Sequence, residues 1–287
     1  MSGNSKAPDP TAAEARSLGY FLCWAVVFAD IGTSVYYTPG ILYHQVGIHA
    51  ALFVSMTLLV FILLTVKYSE VAIRYPEGGG VVTVATRAIH AVAGLVSGLF
   101  ILVDYFLTSA LSALSGVIYL SVLAPALGPV VVPVTVLALV ALGVLNLMGV
   151  KSSARASAVI AVSAGIGQIA VALAVVLHVG LARALATFPL MFSGSRLTPL
   201  TVLTGYAGAF LAFSGLESIA QLSPAMAEPR ARVARVAMGL VVISVGITSP
   251  LLTLWSTTLL DAGHVDPNQF ISIVSQTRDL YRKTTLA

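Results

Sequence analysis

Charge is what this 287-residue sequence lacks most: only 9% of its residues are Asp, Glu, Lys or Arg, whereas 58% are hydrophobic. A mean hydropathy of +0.97 goes with that poverty and excludes an ordinary soluble domain, in which about a quarter of residues are charged. Cysteine is nearly absent as well. The single one, Cys23, lies within the first apolar run, so neither a disulfide framework nor a thiolate metal site is expected. The five histidines, His44, His49, His90, His178 and His264, lack the paired spacing of a metal site, and no G-x-S-x-G nucleophile turn occurs. An enzyme is therefore not expected. The glycines Gly78–Gly80 are followed by no Lys-Ser or Lys-Thr, which excludes a phosphate-binding loop and leaves a turn. Although the net charge is +4 and the pI about 9.3, the basic residues are scattered singly and gather on no face that would suit nucleic acid.

What the sequence has in quantity is apolar runs of about 20 residues, each enough to cross a hydrocarbon core of about 30 Å as a helix. The runs predict an all-α integral membrane protein with spans at about 18–43, 48–73, 94–123, 130–150, 153–179, 200–222 and 236–260. Three regions follow: a polar N-terminal tail at 1–17, a transmembrane domain at 18–260, and a polar segment at 261–287, expected to be the start of a missing remainder. Lys67, Arg74, Arg87, Lys151, Arg155, Arg230, Arg232 and Arg235 fall with Lys6 and Arg16 on one side of the spans, against Arg183 and Arg196 on the other. Positive loops stay inside, so a multi-pass protein of the cell membrane with a cytoplasmic N-terminus is expected.

Polar residues intrude on the apolar runs at three places. In the first span, FADIGTSVYYTPG (Phe28–Gly40) sets Asp30 near mid-span, where an ionisable side chain costs about 2.5–3.5 kcal/mol on insertion scales. Gly32 permits unusual backbone angles, and Thr33 and Ser34 offer hydroxyls, so a helix break is expected between Ala29 and Val35. Broken helices of this kind build the ion and substrate sites of secondary transporters. The third span carries Asp104, Thr108, Ser109, Ser112 and Ser115; Thr108 and Ser112 are one helical turn apart and share a face. The sixth span is interrupted by FSGLE at Phe213–Glu217, repeating the design of the first. The fourth and fifth spans, the latter with Gln168, read as scaffold.

These segments resemble the amino acid, polyamine and organocation transporter superfamily, and within it the KUP and KimA-type potassium-uptake branches. FADIGTSVYY is similar to the KUP signature, KYSEVAIRYPEGGG to the superfamily's glycine-rich loop after helix 2, LVDYFLTSALSALSG to helix 3 of KimA-type importers, and FSGLESIAQLSPAMAEPR to the broken helix 6. The resemblance implies a LeuT-like inverted-repeat fold, here its first repeat of five helices plus helices 6 and 7, with helices 1 and 6 broken. It also implies a potassium site of Asp30, Tyr37, Thr108, Ser112 and Ser214, with Gly32, Thr33 and Ser34 beside it, and a proton-coupling role for Glu217. Ser214 stands where the family has a threonine. An acid in low dielectric favours its neutral form until a cation approaches, so Glu217 is expected to exchange a proton as the ion binds or leaves.

Plainer roles stand beside these. Asp30 would cap a following half-helix through the amides of Ile31–Thr33, Asp104 would pair with an Arg at the end of its span, and Gly205 and Gly208 would serve close helix packing. Three functions compete: proton-coupled uptake of a small cation, a proton-coupled amino acid permease, and a truncated or partner-dependent membrane protein without transport. No cofactor is expected beyond the transported potassium and protons. The expected partners are the lipid bilayer, the small cation or amino acid, and a second copy or a missing C-terminal half.

Overall fold

The computed structural model describes residues 18–147, 150–194 and 197–259. The expected tail at Met1–Ser17, Arg196 and the polar segment from Asp261 onward lie outside the described residues. Six helical stretches are apolar and long enough to cross a membrane, and the first, Tyr20–Arg74, is two helices. These are α1 (Tyr20–Val46) and α2 (Ala50–Arg74), parted by a short 3-10 turn at Gly47–His49 in which Gly47 takes φ +59°. A short α3 (Gly80–Ala88) precedes α4 (Ala91–Leu123), α5 (Val131–Leu147) and α6 (Val150–Val179). After the stub α7 (Leu181–Leu185) come α8 (Pro199–Ala209), a single-turn α9 (Ser218–Gln221) and α10 (Arg230–Thr258). The chain is a multi-pass membrane protein.

Burial separates centre from periphery. Helices α1, α2 and α10 pack against one another and hold most of the buried side chains, whereas α4 and α5 turn most of their apolar surface outward. Outward Leu, Val and Phe suit hydrocarbon, where every backbone group must be satisfied within its own helix. Small residues set the closest approaches: a Cβ at Gly205 of α8 would lie 2.6 Å from Val46 and 2.8 Å from the Phe53 ring, and one at Gly208 2.7 Å from Gln45. The expected packing role of these glycines is met.

The loop after α2 forms the turn expected of it. Gly78, Gly79 and Gly80 take φ of +82°, +81° and +47°, conformations open to glycine, and the Thr83 hydroxyl donates to the Gly78 carbonyl at 2.9 Å. Gly78 rests on Pro224 and Gly80 on Ala220, so the loop docks against the far end of the sixth span. That end is tied to the start of α1: Leu18 donates to the Ala225 carbonyl at 2.9 Å and accepts from the Ala227 amide at 3.0 Å.

One expectation is corrected. The first span is not broken between Ala29 and Val35; α1 is a continuous helix through Asp30, Gly32, Thr33 and Ser34, and it also runs through Pro39. Gly32 keeps a negative φ, and the space its missing side chain leaves is filled by the Phe28 ring, 3.1 Å from where a Cβ would stand. Thr33 donates to the Asp30 carbonyl at 2.7 Å, a back-bond compatible with an uninterrupted helix. The sixth span does break. After α8 the chain tightens into a 3-10 turn at Phe210–Phe213, Ser214 is extended, and Gly215 takes φ +109° before α9 begins. Only glycine adopts that last angle readily.

Candidate functional site

The break in the sixth span faces the middle of α1. Asp30 Oδ2 accepts a hydrogen bond from the Ser218 hydroxyl at 2.6 Å, and the backbone of Gly215 lies so near the carboxyl that a Cβ there would stand 2.7 Å from Cγ. Asp30 therefore engages the sixth span and does not cap a new half-helix in α1. The third wall is α4. Ser214 donates to Asp104 Oδ2 across a long 3.4 Å, and Thr33 and Ser112 share a hydroxyl hydrogen bond of 3.1 Å. Asp104 thus lies well inside α4 and turns toward the break, not toward an Arg at a helix end.

Glu217 comes just before α9 and lies within electrostatic reach of Asp30 and Asp104. Tyr105 interacts with the same group: its hydroxyl accepts from Gln221 Nε2 at 2.7 Å and is close enough to Glu217, Ser218 and Asp30 to feel them. Three acids thus share one region. Among the described residues the four ion pairs all involve other carboxylates, namely Glu70, Glu77 and Glu228, so Asp30, Asp104 and Glu217 have no Lys or Arg partner.

Further along the same face of α1, Ser34 and Tyr37 share a buried hydrogen bond of 3.1 Å. Helical side chains lean toward the N-terminus, so the Tyr37 ring reaches back one turn to Ser34 instead of to Asp30, which is two turns away. Thr108 is buried in α4 one turn before Ser112. The nine expected site residues thus divide. Asp30, Ser214 and Glu217 meet at the break; Thr33 and Ser112 pair between α1 and α4; Ser34 and Tyr37 pair with each other; Gly32 is covered by Phe28; Thr108 is buried in α4.

Several participants escape a reading of the residues alone. Ser218 lies one residue past FSGLE, and its signal is a hydroxyl next to the acid Glu217. Gln168, on a span expected to be scaffold, is fully buried and donates to the Gly32 carbonyl at 3.3 Å. Tyr119 of α4 donates to the Tyr36 carbonyl, and Tyr36 in turn donates to Ala164 O at 3.3 Å. These bonds fix α1 against α4 and α6. An amide in an aliphatic run was the available sign for Gln168, since a polar group in hydrocarbon is costly without a partner.

Comparison with known proteins agrees with the motifs. The family model described as "Amino acid permease" matches residues 18–273. The potassium transporter KimA of Bacillus subtilis (strain 168) is 29% identical over 236 residues, covering 77% of this chain and 38% of that protein. A probable potassium transport system protein, Kup, of Aeromonas salmonicida (strain A449) is 35% identical over 133 residues, covering 40% of this chain and 22% of that protein. The chain spans well under half the length of either relative. Both relatives are named as transport proteins, not enzymes. With the family model covering most of its length, this multi-pass membrane chain belongs to the amino acid permease family, within the superfamily that its motifs resemble.

Proposed function

We propose that this protein acts in secondary transport of a small cation, and specifically that potassium moves with protons through the break in the sixth span. The observation that carries the reading is the acid cluster itself: Asp30, Asp104 and Glu217 interact with one another and have no basic partner among the described residues. Charge at membrane depth needs compensation, and a mobile cation supplies it. A dehydrated potassium ion favours several oxygens; the Ser218 hydroxyl stands on Asp30 and that of Ser214 on Asp104, while the Thr33–Ser112 pair adds two more between α1 and α4. In this reading Asp30 supplies the main charge, Ser34, Tyr37 and Thr108 extend the oxygen lining, and Glu217 exchanges the proton. The names of the two relatives support potassium as the ion.

The amino acid reading draws on the family's description. It would use half-helix ends in both the first and sixth spans to receive a carboxylate and an ammonium, and the continuity of α1 weakens it. An acid at position 30 would also repel the substrate carboxylate. We further propose a LeuT-like arrangement with the spans before residue 180 as the first repeat, a cytoplasmic N-terminus, and the ends of α2 and α10 that carry Arg74 and Arg235 on the cytoplasmic side.

The test is uptake of rubidium, a potassium surrogate, against labelled amino acids in proteoliposomes, with Asp30→Asn as the control. Rubidium uptake lost in the variant is the expected result. Amino acid uptake alone would transfer the function to the permease reading, and rubidium uptake equal in both proteins would refute Asp30 as the ion's counter-charge.

A further inference from the structure

Away from the acid cluster, α2 and α10 leave an open cleft of about 690 Å³ between them. Its walls are apolar, with Ile62, Val66 and Ile73 from α2 and Met238 and Val242 from α10. Gly239 lies on its floor, where a Cβ would meet nothing within 4 Å. The two helices are antiparallel, because Gly246 of α10 faces Leu58 of α2 while Arg235 and Arg74 line one cleft at the other end.

The cleft is polarised along its length. Arg74, Arg235 and Glu70 stand at one end, and the wall toward Ile62 is hydrocarbon apart from Thr65, whose hydroxyl donates to the Phe61 carbonyl at 2.8 Å. Arg74 is held by Glu70 Oε1, which shares its carboxylate with Lys67 at 3.2 Å. The cleft lining thus holds two cations, Arg74 and Arg235, and one carboxylate, Glu70, that is also engaged by Lys67, and Arg235 has no ion pair among the described residues. From Ile62 to Arg74 the helix advances on the order of 18 Å at about 1.5 Å per residue. Half of a hydrocarbon core is about 15 Å, so the apolar groove with its basic mouth has the length of one leaflet and its headgroup edge.

We infer that this cleft is a binding site for one anionic diacyl phospholipid of the leaflet on the Arg74 side. The acyl chain lies along Ile62, Val66 and Val242, over Gly239. The headgroup phosphate, with a second acceptor such as the glycerol of phosphatidylglycerol, meets Arg235 and Arg74. A zwitterionic lipid fits the groove equally well, but its ammonium opposes the basic mouth, so selectivity resides in the headgroup. Basic pockets between membrane helices bind anionic headgroups on this principle.

The experiment is native mass spectrometry of the detergent-purified full chain, titrated separately with phosphatidylglycerol and phosphatidylcholine. The expected parent retains one phosphatidylglycerol in preference to phosphatidylcholine. Arg235→Gln, an exposed change, should lower that preference about fivefold while leaving phosphatidylcholine binding as it was. Gly239→Trp fills the cleft and should remove the retained lipid of either kind, with melting temperature checked to confirm folding. Equal retention of both lipids by the parent, or phosphatidylglycerol binding unchanged in both variants, would overturn the site. So would conversion of a dimer to a monomer by Gly239→Trp with lipid binding intact, since a second copy would then be the occupant. A Gly239→Cys thiol shielded from maleimide in lipid-free monomer would assign the cleft to a protein segment and overturn it too.

Discussion

Replacing Gly215 by alanine tests the contact between the sixth span and Asp30 directly. Gly215 holds φ +109°, and a Cβ there would stand 2.7 Å from both Cγ and Oδ2 of Asp30. Ordinary carbon contacts are about 3.5–4.0 Å, so the overlap approaches roughly 1 Å and the carboxyl or the break must retreat. Holding a non-glycine residue at such an angle costs about 1–3 kcal/mol. Moving the carboxyl also strains or breaks the 2.6 Å bond from Ser218, and a hydrogen bond to an acid contributes about 0.5–3 kcal/mol. Together the change should destabilise the protein by about 2–5 kcal/mol, or shift the same energy into a displaced Asp30. Thermal melting in detergent reads the first outcome, and rubidium uptake in proteoliposomes reads the second. Gly116→Ala is the control, because it lies within α4, has a helical backbone and would place its Cβ in open space. That change should be neutral or stabilise by up to about 1 kcal/mol. If Gly215→Ala melts and transports like the parent, the close approach of the break to Asp30 is wrong.

Glu217→Gln should retain rubidium uptake but lose its acceleration by an inward proton gradient; an unchanged response would remove Glu217 from the coupling role. Thr33→Val and Ser112→Ala, made singly and together, should show a coupling of about 0.5–1.5 kcal/mol in detergent unfolding, and strict additivity would mean that the 3.1 Å bond contributes nothing. Gly205→Leu should overpack the contact with Val46 and Phe53 and cost about 1–3 kcal/mol or more, whereas an unchanged melting temperature would show that α8 is not tightly seated.

Much of this architecture is visible in the residues because hydrocarbon imposes length. Span positions agree to within a few residues for most helices, Gly78–Gly80 form the expected turn, and the sixth span is interrupted within FSGLE as expected, at Gly215. α10 begins at Arg230 instead of near Val236, since long basic side chains sit on a helix end while their charges reach outward. The first span misled for a tertiary reason. Asp30, Gly32, Thr33 and Ser34 have breaking tendencies in isolation, but Phe28 covers Gly32 and Gln168 of α6 donates to its carbonyl. No local pattern announces those partners. The site residues were identifiable as polar intrusions, yet their pairing was not: Ser214 turns to Asp104, and it is Ser218 that holds Asp30. Such pairings depend on helix rotation and on the shape of the break, which spacing does not encode.

The two backbone hydrogen bonds at Leu18 have a mechanical meaning. They join the root of α1 to the tail of the sixth span, the two segments that contribute Asp30 and Ser218. A clasp of this kind makes the pair one lever. Any rocking that parts them at that end must first release two backbone bonds, each contributing about 0.5–1.5 kcal/mol. On the transport reading proposed above, tilting α1 and the sixth span together against α4 and α6 would therefore cost less than pulling the two apart.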